Sequence, residues 1–375
     1  MSEKRILIAS LLKPINDTRM YEKLGLSLSK LKDTHVYVCG FKAPLPAASP
    51  GNLSFQPFFS FKRLSMGRVK AQLRFYRLLE EIKPDVLIAC THELLLPCYA
   101  YRRKHKVKLI YDVQENYALN LLKQNNYPPL LKQALALGVR SIEKWISPKI
   151  HHFLLAERSY ADELLFLENR YTVLENKYKP SVSYTSPATP VMIKEKPLRL
   201  LYSGTIGEEY GIFEAIALAE KLFQVNNTTT FTIIGYCANK GTLHEIKQRI
   251  KEKGYIRLVG GDKLVPHEQI IEEINGSNVG LLPYQPNDST FRCIPTKLYE
   301  YMAHALPILV QQNPLWHSIV KHHQAGISVD FNNIDEQDLT TTLRQTLFYT
   351  SSTPENIFWR TEEDKLLQVF HQMNQ

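Results

Sequence analysis

The chain has 375 residues, 44% hydrophobic and 22% charged, enough for two globular domains of ordinary size. No run approaches the roughly 18 consecutive apolar residues that span a bilayer, and Cys39, Cys90, Cys98, Cys237 and Cys293 lack the close spacing of a zinc or redox motif, so no metal site is expected and the thiols read as those of a reducing compartment. The net charge of +9 is uneven: residues 1–176 hold 27 Lys and Arg against 16 Asp and Glu, the remainder 19 against 21, so the first half either meets something anionic or is a solvated basic surface.

Short apolar runs alternate with helix-like segments from the start. Residues 5–10 read as a strand, 11–18 as a loop, and 19–32 as a helix through Leu24, Leu28 and Leu31. Residues 35–40 are strand-like, Pro84 closes a basic helix, and 85–90 and 108–112 are two further strands. This alternation predicts a parallel sheet with helices on both faces. Residues 178–197 break the rhythm with Pro180, Pro187, Pro190 and Pro197 among serines and threonines, and read as a linker. The alternation then restarts: strand 198–203, a glycine-bearing loop 204–211, helix 212–223, and strands at 230–235, 256–259, 279–283 and 307–310. The expected domains are 1–177 and 198–354, with 355–375 an amphipathic helix through Leu366, Leu367 and Phe370 that packs back on the first domain. Met1 leads straight into Lys4-Arg5 with no apolar signal core after it, which reads as a cytoplasmic chain.

The most specific pattern is Arg292-Cys293-Ile294-Pro295-Thr296-Lys297-Leu298-Tyr299-Glu300-Tyr301-Met302-Ala303. It follows a strand ending at Leu282-Pro283 and a polar loop with Asn287, Asp288 and Ser289. Pro295 suits the first turn of a helix, where its missing N–H costs nothing. Lys297 and Glu300, three apart, share one face near that helix's N-terminus. Free N–H groups there hold an anion, and a carboxylate beside them can accept two ribose hydroxyls. Those are the two demands of a nucleotide diphosphate sugar; the other reading is an ordinary surface pair.

The turn Tyr202-Ser203-Gly204-Thr205-Ile206-Gly207 either lets the backbone approach phosphate oxygens, with the next helix's dipole behind it, or is only a tight turn. No Lys or Arg stands between Ser203 and Gly211, so Lys297 or Arg292 has to supply positive charge. In the first half, Thr91-His92-Glu93 follows one strand and Tyr111-Asp112-Val113-Gln114-Glu115 the next, at strand ends where open α/β sheets bind ligands. His92 reads as a cleft residue or as a core or capping histidine. Asp17, in Asn16-Asp17-Thr18-Arg19, reads as a helix N-cap or a cleft residue.

On these motifs the chain resembles the GT-B glycosyltransferases, specifically the group-4 family of mostly retaining enzymes. A Pro-x-Lys-x-x-Glu-Tyr-Met-Ala helix followed by a Pro-bearing strand is a common form of that family's nucleotide region, here Pro295 to Pro307. The resemblance implies two Rossmann-like, doubly wound parallel-sheet domains facing a cleft. It implies donor contacts from Gly204, Thr205, Gly207, Pro295, Thr296, Lys297 and Glu300, the glutamate at the ribose. Many members carry a second glutamate eight positions earlier; Arg292 stands there instead and offers a cation to the diphosphate. Gln114 stands where a histidine is frequent. Lys297, Arg292 and His92 are the expected catalytic residues, with Asp17, Arg19, Glu93, Gln114 and Glu115 on the acceptor side. A nucleotide sugar is the co-substrate; no cofactor or divalent metal is expected.

Breaking the anomeric bond leaves a diphosphate, so stabilising that leaving group is the main electrostatic task. Retention needs no strong base; inversion would need Asp17, His92 or Glu115 as one. Residues 55–77 interleave Phe58, Phe59, Phe61 and Phe75 with Lys62, Arg63, Arg68, Lys70, Arg74 and Arg77, and 102–106 add a basic cluster. This predicts contact with the inner face of an anionic membrane and a glycan or lipid-linked glycan acceptor. Two other readings stand: a nucleotide-sugar 2-epimerase of the same fold, and a non-catalytic phosphate or nucleic-acid binder. Against the last, no nucleic-acid module is present.

Overall fold

The computed structural model describes residues 3–46, 48–62, 65–123, 128–194, 197–287 and 290–374. The chain forms two compact units: Met1–Lys179 with Trp359–Gln375, and Pro180–Phe358.

Unit 1 contains β1 (Lys4–Pro14), a π-helical turn (Thr18–Gly25) leading into α1 (Leu26–Leu28), β2 (Thr34–Phe41), β3 (Leu53–Phe59), α2 (Met66–Ile82), β4 (Val86–Ala89), α3 (Leu95–Arg102), β5 (Lys108–Val113), α4 (Tyr117–Lys123), α5 (Pro129–Ile146), β6 (His152–Leu155), α6 (Tyr160–Glu163) and β7 (Tyr171–Val173). The strands form one parallel sheet in the order β3-β2-β1-β4-β5-β6-β7. Central strands are apolar on both faces, as a covered parallel sheet requires: Ile6, Leu7, Ile8, Val86, Leu87 and Ile88 are all buried. Helix α2 buries Ala71, Phe75, Leu78, Leu79 and Ile82, one helical stripe. It ends where Lys83 turns left-handed, one residue before Pro84.

Unit 2 contains β8 (Arg199–Thr205), α7 (Ile212–Val225), β9 (Thr230–Tyr236), α8 (Lys240–Ile250), β10 (Ile256–Gly261), α9 (His267–Gly276), β11 (Val279–Leu282), α10 (Thr296–Ala303), β12 (Ile308–Gln311), α11 (Pro314–His322), β13 (Gly326–Val329) and α12 (Glu336–Gln345). Its sheet is parallel in the order β10-β9-β8-β11-β12-β13. Both sheets therefore reverse direction of growth once, between β1 and β4 and between β8 and β11. These are the switch points at which such sheets bind ligands. The last helix, α13 (Arg360–Asn374), returns to unit 1: Trp359, Leu366, Val369 and Phe370 share a core with Ile6, Ile8, Met20 and Leu24.

Several sequence expectations change. The loop at 11–18 is shorter, because β1 runs on to Pro14 after a register shift and buries Leu11. The helix at 19–32 stops at Leu28, where the Ser29 hydroxyl bonds back to the Leu26 carbonyl at 3.0 Å. Strands β3, β6, β7 and β13 escaped the reading; β3, β7 and β13 are sheet edges with weak alternation, and Pro57 interrupts β3. The stretch read as a linker is fastened to unit 2 by the Val191–Phe348 bridge and by Tyr184 donating to the Ala303 carbonyl at 2.6 Å. The aromatic surface at 55–77 is corrected as well. Phe59 and Phe75 are buried, Phe55 packs edge-on to Tyr21, and Arg74 covers Phe58. Strand β3 and the inward stripe of α2 turn these rings toward the core. Arg63, Asp288 and Ser289 lie outside the described residues.

Candidate functional site

At the switch point of unit 2, β8 ends in Ser203, Gly204 and Thr205. Gly204 has φ 108°, which favours glycine, and a Cβ there would lie 2.9 Å from the Cε of Lys297. The lysine stem thus crosses directly over the glycine backbone, which brings the two motifs of this half together. Helix α10 is held to β8 by Tyr301, whose buried hydroxyl lies 3.1 Å from the Ser203 N–H and 2.9 Å from its Oγ. Gly211, at φ 72°, faces the Pro283 carbonyl so closely that a Cβ would sit 1.8 Å from the oxygen. The loop after β8 therefore closes against the end of β11.

The loop then passes into a helix where the sequence placed it: a 3₁₀ turn, Glu208–Tyr210, lies within the loop and α7 starts at Ile212. Glu208 turns to α8 and accepts from the Thr242 hydroxyl at 2.8 Å. Pro295 is displaced by one position: it is the residue before the first turn of α10, with ψ 129°, and Thr296 opens the helix exposed.

Lys297 and Glu300 pair across one turn. His267, the first residue of α9, donates from Nε2 to Glu300 Oε1 at 2.5 Å; an ionised carboxylate only accepts, so the ring nitrogen carries the proton. The Glu300 side chain is 8% exposed, Lys297 15% and His267 44%. Burial works against the Glu300 charge, but Lys297 and His267 outweigh it and hold the carboxyl down at about 2. Arg292 is exposed, on a segment pinned by α11: Asn313 donates to the Phe291 carbonyl at 2.7 Å and Trp316 to the Cys293 carbonyl at 2.8 Å.

In unit 1 the candidates gather at the C-terminal ends of β1, β4 and β5. Asp17 is the N-cap, its Oδ1 accepting from the Arg19 and Met20 N–H groups at 3.0 Å each. Arg19, expected on the acceptor side, is buried instead. Its Nη2 and Nε reach Asp112 at 2.6 and 3.0 Å, and its Nη1 donates to the Leu174 carbonyl at 2.8 Å. This assignment is corrected: the guanidinium is fully committed to its own chain. Gln114 donates to Asp112 Oδ2 at 2.8 Å, and Glu115 accepts from Asn120 at 3.1 Å.

His92 and Glu93 lie on the turn after β4. The His92 ring packs on Tyr117 with centroids 4.8 Å apart, and its Nδ1 is buried with no hydrogen-bond partner among the described residues. Burial lowers its pKa, so the imidazole is neutral at pH 7. Glu93 pairs with Arg68 through Oε1, while Oε2 is buried without a hydrogen-bond partner among the described residues.

His267, Tyr301, Asp112 and Arg68 are the neighbours that sequence reading did not assign. Each meets its partner across at least 25 positions of chain, where local spacing carries no signal. Among the described residues no three His, Cys, Asp or Glu gather as metal ligands, and no helix is long and apolar enough to cross a membrane.

Residues 189–347 match the family described as "Glycosyl transferases group 1". The glycogen synthase of Mycobacterium tuberculosis is 23% identical over 257 residues, 66% of this chain and 59% of its own length. The chain thus spans about three fifths of the length of the curated relatives it matches. Among solved structures, sucrose-phosphate synthase from Thermosynechococcus elongatus superposes with a TM-score of 0.72 at 12% identity, over 99% of each chain. Anabaena Alr3699/HepE, in complex with UDP-glucose, gives 0.65 at 10% identity, over 98% of this chain and 99% of that one. At these identities the likeness concerns the fold: two parallel-sheet α/β units of GT-B type.

Proposed function

We infer the function from one premise: this chain of GT-B fold carries a group 1 glycosyl transferase domain over residues 189–347. It transfers a sugar from a nucleotide-sugar donor to a glycan or lipid-linked glycan, in the biosynthesis of a surface polysaccharide or glycoconjugate. The observation that supports this best is the Lys297 stem lying across Gly204 while its ammonium meets Glu300. One backbone approach, one cation and one ionised carboxylate share a few ångströms at a sheet switch point.

The roles follow from the chemistry. Among the described residues each Glu300 oxygen has one partner, and with its other lone pairs the carboxylate accepts the two ribose hydroxyls. Lys297 and the exposed Arg292 face the diphosphate, whose charge grows as the anomeric bond breaks. Gly204, Thr205 and Gly207 admit the phosphates to the backbone, and Pro295 and Thr296 open the helix start toward them. In unit 1, Glu93 and neutral His92, whose Oε2 and Nδ1 have no hydrogen-bond partner among the described residues, meet the acceptor hydroxyls. Retention, with the leaving phosphate taking the acceptor proton, asks for no stronger base, and no step requires a metal.

Thermal-shift titration with UDP-, GDP-, ADP- and CMP-sugars tests the reading, UDP-glucose first because HepE holds it. A stabilising response to one nucleotide class is expected, lost in Glu300→Ala. Incubating the responding donor without acceptor should leave it unchanged; an epimerised sugar would replace transfer by epimerisation. No response to any sugar nucleotide would overturn the proposal.

A further inference from the structure

Helix α5 is turned the wrong way round for a helix that only covers a core. Its inward face buries Ala136, Val139, Glu143 and Ile146. Its outward face runs through Leu130, Ala134, Leu137, Gly138, Ser141 and Trp145, within about one third of the helix circumference and with no charge among them. Leu130 is 82% exposed, Leu137 69% and Trp145 60%. Leu131 on the same helix and Leu122 near the end of α4 are exposed as well. The two helices pack through Ala118, Tyr117 and Leu121 against Ala136 and Val139, so the outward leucines are left over after that contact is made. Scattered exposed leucines are ordinary, but a charge-free stripe along a whole helix marks a surface for something apolar.

Charge selects the occupant. From Tyr117 to Lys149 the sequence holds five cations, Lys123, Lys132, Arg140, Lys144 and Lys149, and one acid, Glu143, which is buried. Lys123, Lys144 and Lys149 are exposed around the apolar stripe. We propose that α5, with the end of α4, lies flat on an anionic lipid bilayer, its leucines and Trp145 in the boundary between headgroups and acyl chains and its lysines at the headgroup phosphates. The membrane contact expected at 55–77 thereby moves to a different surface, since most of those aromatic rings face inward or lean on neighbours. The proposal extends the lipid-linked acceptor reading, yet its test needs no sugar transfer and succeeds or fails independently of it.

The full chain is floated with phosphatidylcholine vesicles, with and without phosphatidylglycerol. Binding is expected only with the anionic lipid, and should fall at least about tenfold in the double variant Leu130→Glu/Leu137→Glu. Both positions are exposed, so an unchanged melting curve and unchanged nucleotide-sugar response are expected to show that the fold and donor site are intact. Leu73→Glu, on the outward side of α2, is expected to leave binding as it is. Trp316 and Trp359 are buried, so a vesicle-induced blue shift of tryptophan emission reports Trp145 and should vanish in Trp145→Phe. No flotation with anionic vesicles, equal flotation of the double variant, or loss in Leu73→Glu with α5 variants unaffected would overturn the proposal. So would a concentration-dependent dimer that the double variant abolishes, because the stripe would then belong to a second copy of the chain.

Discussion

Arg19 meets Asp112 in unit 1 and Lys297 meets Glu300 in unit 2, each pair beside the C-terminal end of a strand, and the two differ in what they leave unused. Around Arg19 every direction is taken: both Asp112 oxygens, the Leu174 carbonyl and Asn176, with Gln114 on the far side of the carboxylate. Around Glu300 each oxygen has one partner among the described residues, and two of the three members of the cluster remain in reach of solvent. A buried charge must be matched or it destabilises the fold. Full matching makes a brace, and matching with valence to spare makes a binding group. Residue type does not tell the two apart; the number of occupied lone pairs does.

The comparison breaks first on stability. Arg19→Met strands the Asp112 carboxylate in the interior and should cost about 3–5 kcal/mol in denaturant unfolding, with donor affinity of the folded fraction unchanged. A cost below about 1 kcal/mol would mean the pair is no brace. Acid titration reads the other pair. The folded-state pKa of Glu300, about 2, lies below its ordinary 4.5. Its contribution is therefore complete above about 4.5 and disappears as the pH falls toward 2, about 3 kcal/mol in all. Unfolding curves of wild type and Glu300→Gln over that range should converge as the pH drops; parallel curves would remove the charge from the account.

Glu300→Ala should weaken donor binding and transfer about a hundredfold, or nearly 3 kcal/mol, while the protein stays folded. An active variant would refute the ribose role. The smallest effect sharpens the comparison at its rim. His267→Ala should raise the donor Kd about five- to tenfold by freeing the Glu300 carboxylate to reorient, about the net worth of one hydrogen bond. His267→Gln, which can still donate, should recover most of that loss. Equal loss in both would assign the ring a contact of its own with the donor.

Much of this architecture was readable in the chain because it is written in local periods. The alternation of apolar runs with helical spacing located both sheets, and the three-residue step from Lys297 to Glu300 placed them on one face. Gly204 was legible as a turn that favours glycine, although the stem of Lys297 lying over it was not. Pairings across the fold left no such trace: Arg19 with Asp112 spans 93 positions and His267 with Glu300 spans 33. Asp17 was legible as a cap because capping is a two-residue event. The outward leucines of α5 were hidden because a helix apolar on two faces looks, in sequence, like one that is simply buried. The edge strands β3, β7 and β13 were lost for the opposite reason, having too little apolar pattern to stand out.

The return of α13 into the first unit has a consequence for how the polypeptide is made. Trp359 donates from its indole to the Ser27 hydroxyl at 3.0 Å, and Leu366 and Phe370 complete a core begun by Ile6 and Ile8. On the ribosome, the middle of the message encodes a unit that has all its residues before the opening one does. The opening unit waits with an apolar gap until the final helix leaves the exit tunnel. Removing α13 should then damage the first unit, and a nascent chain stalled before Trp359 should display that gap to chaperones.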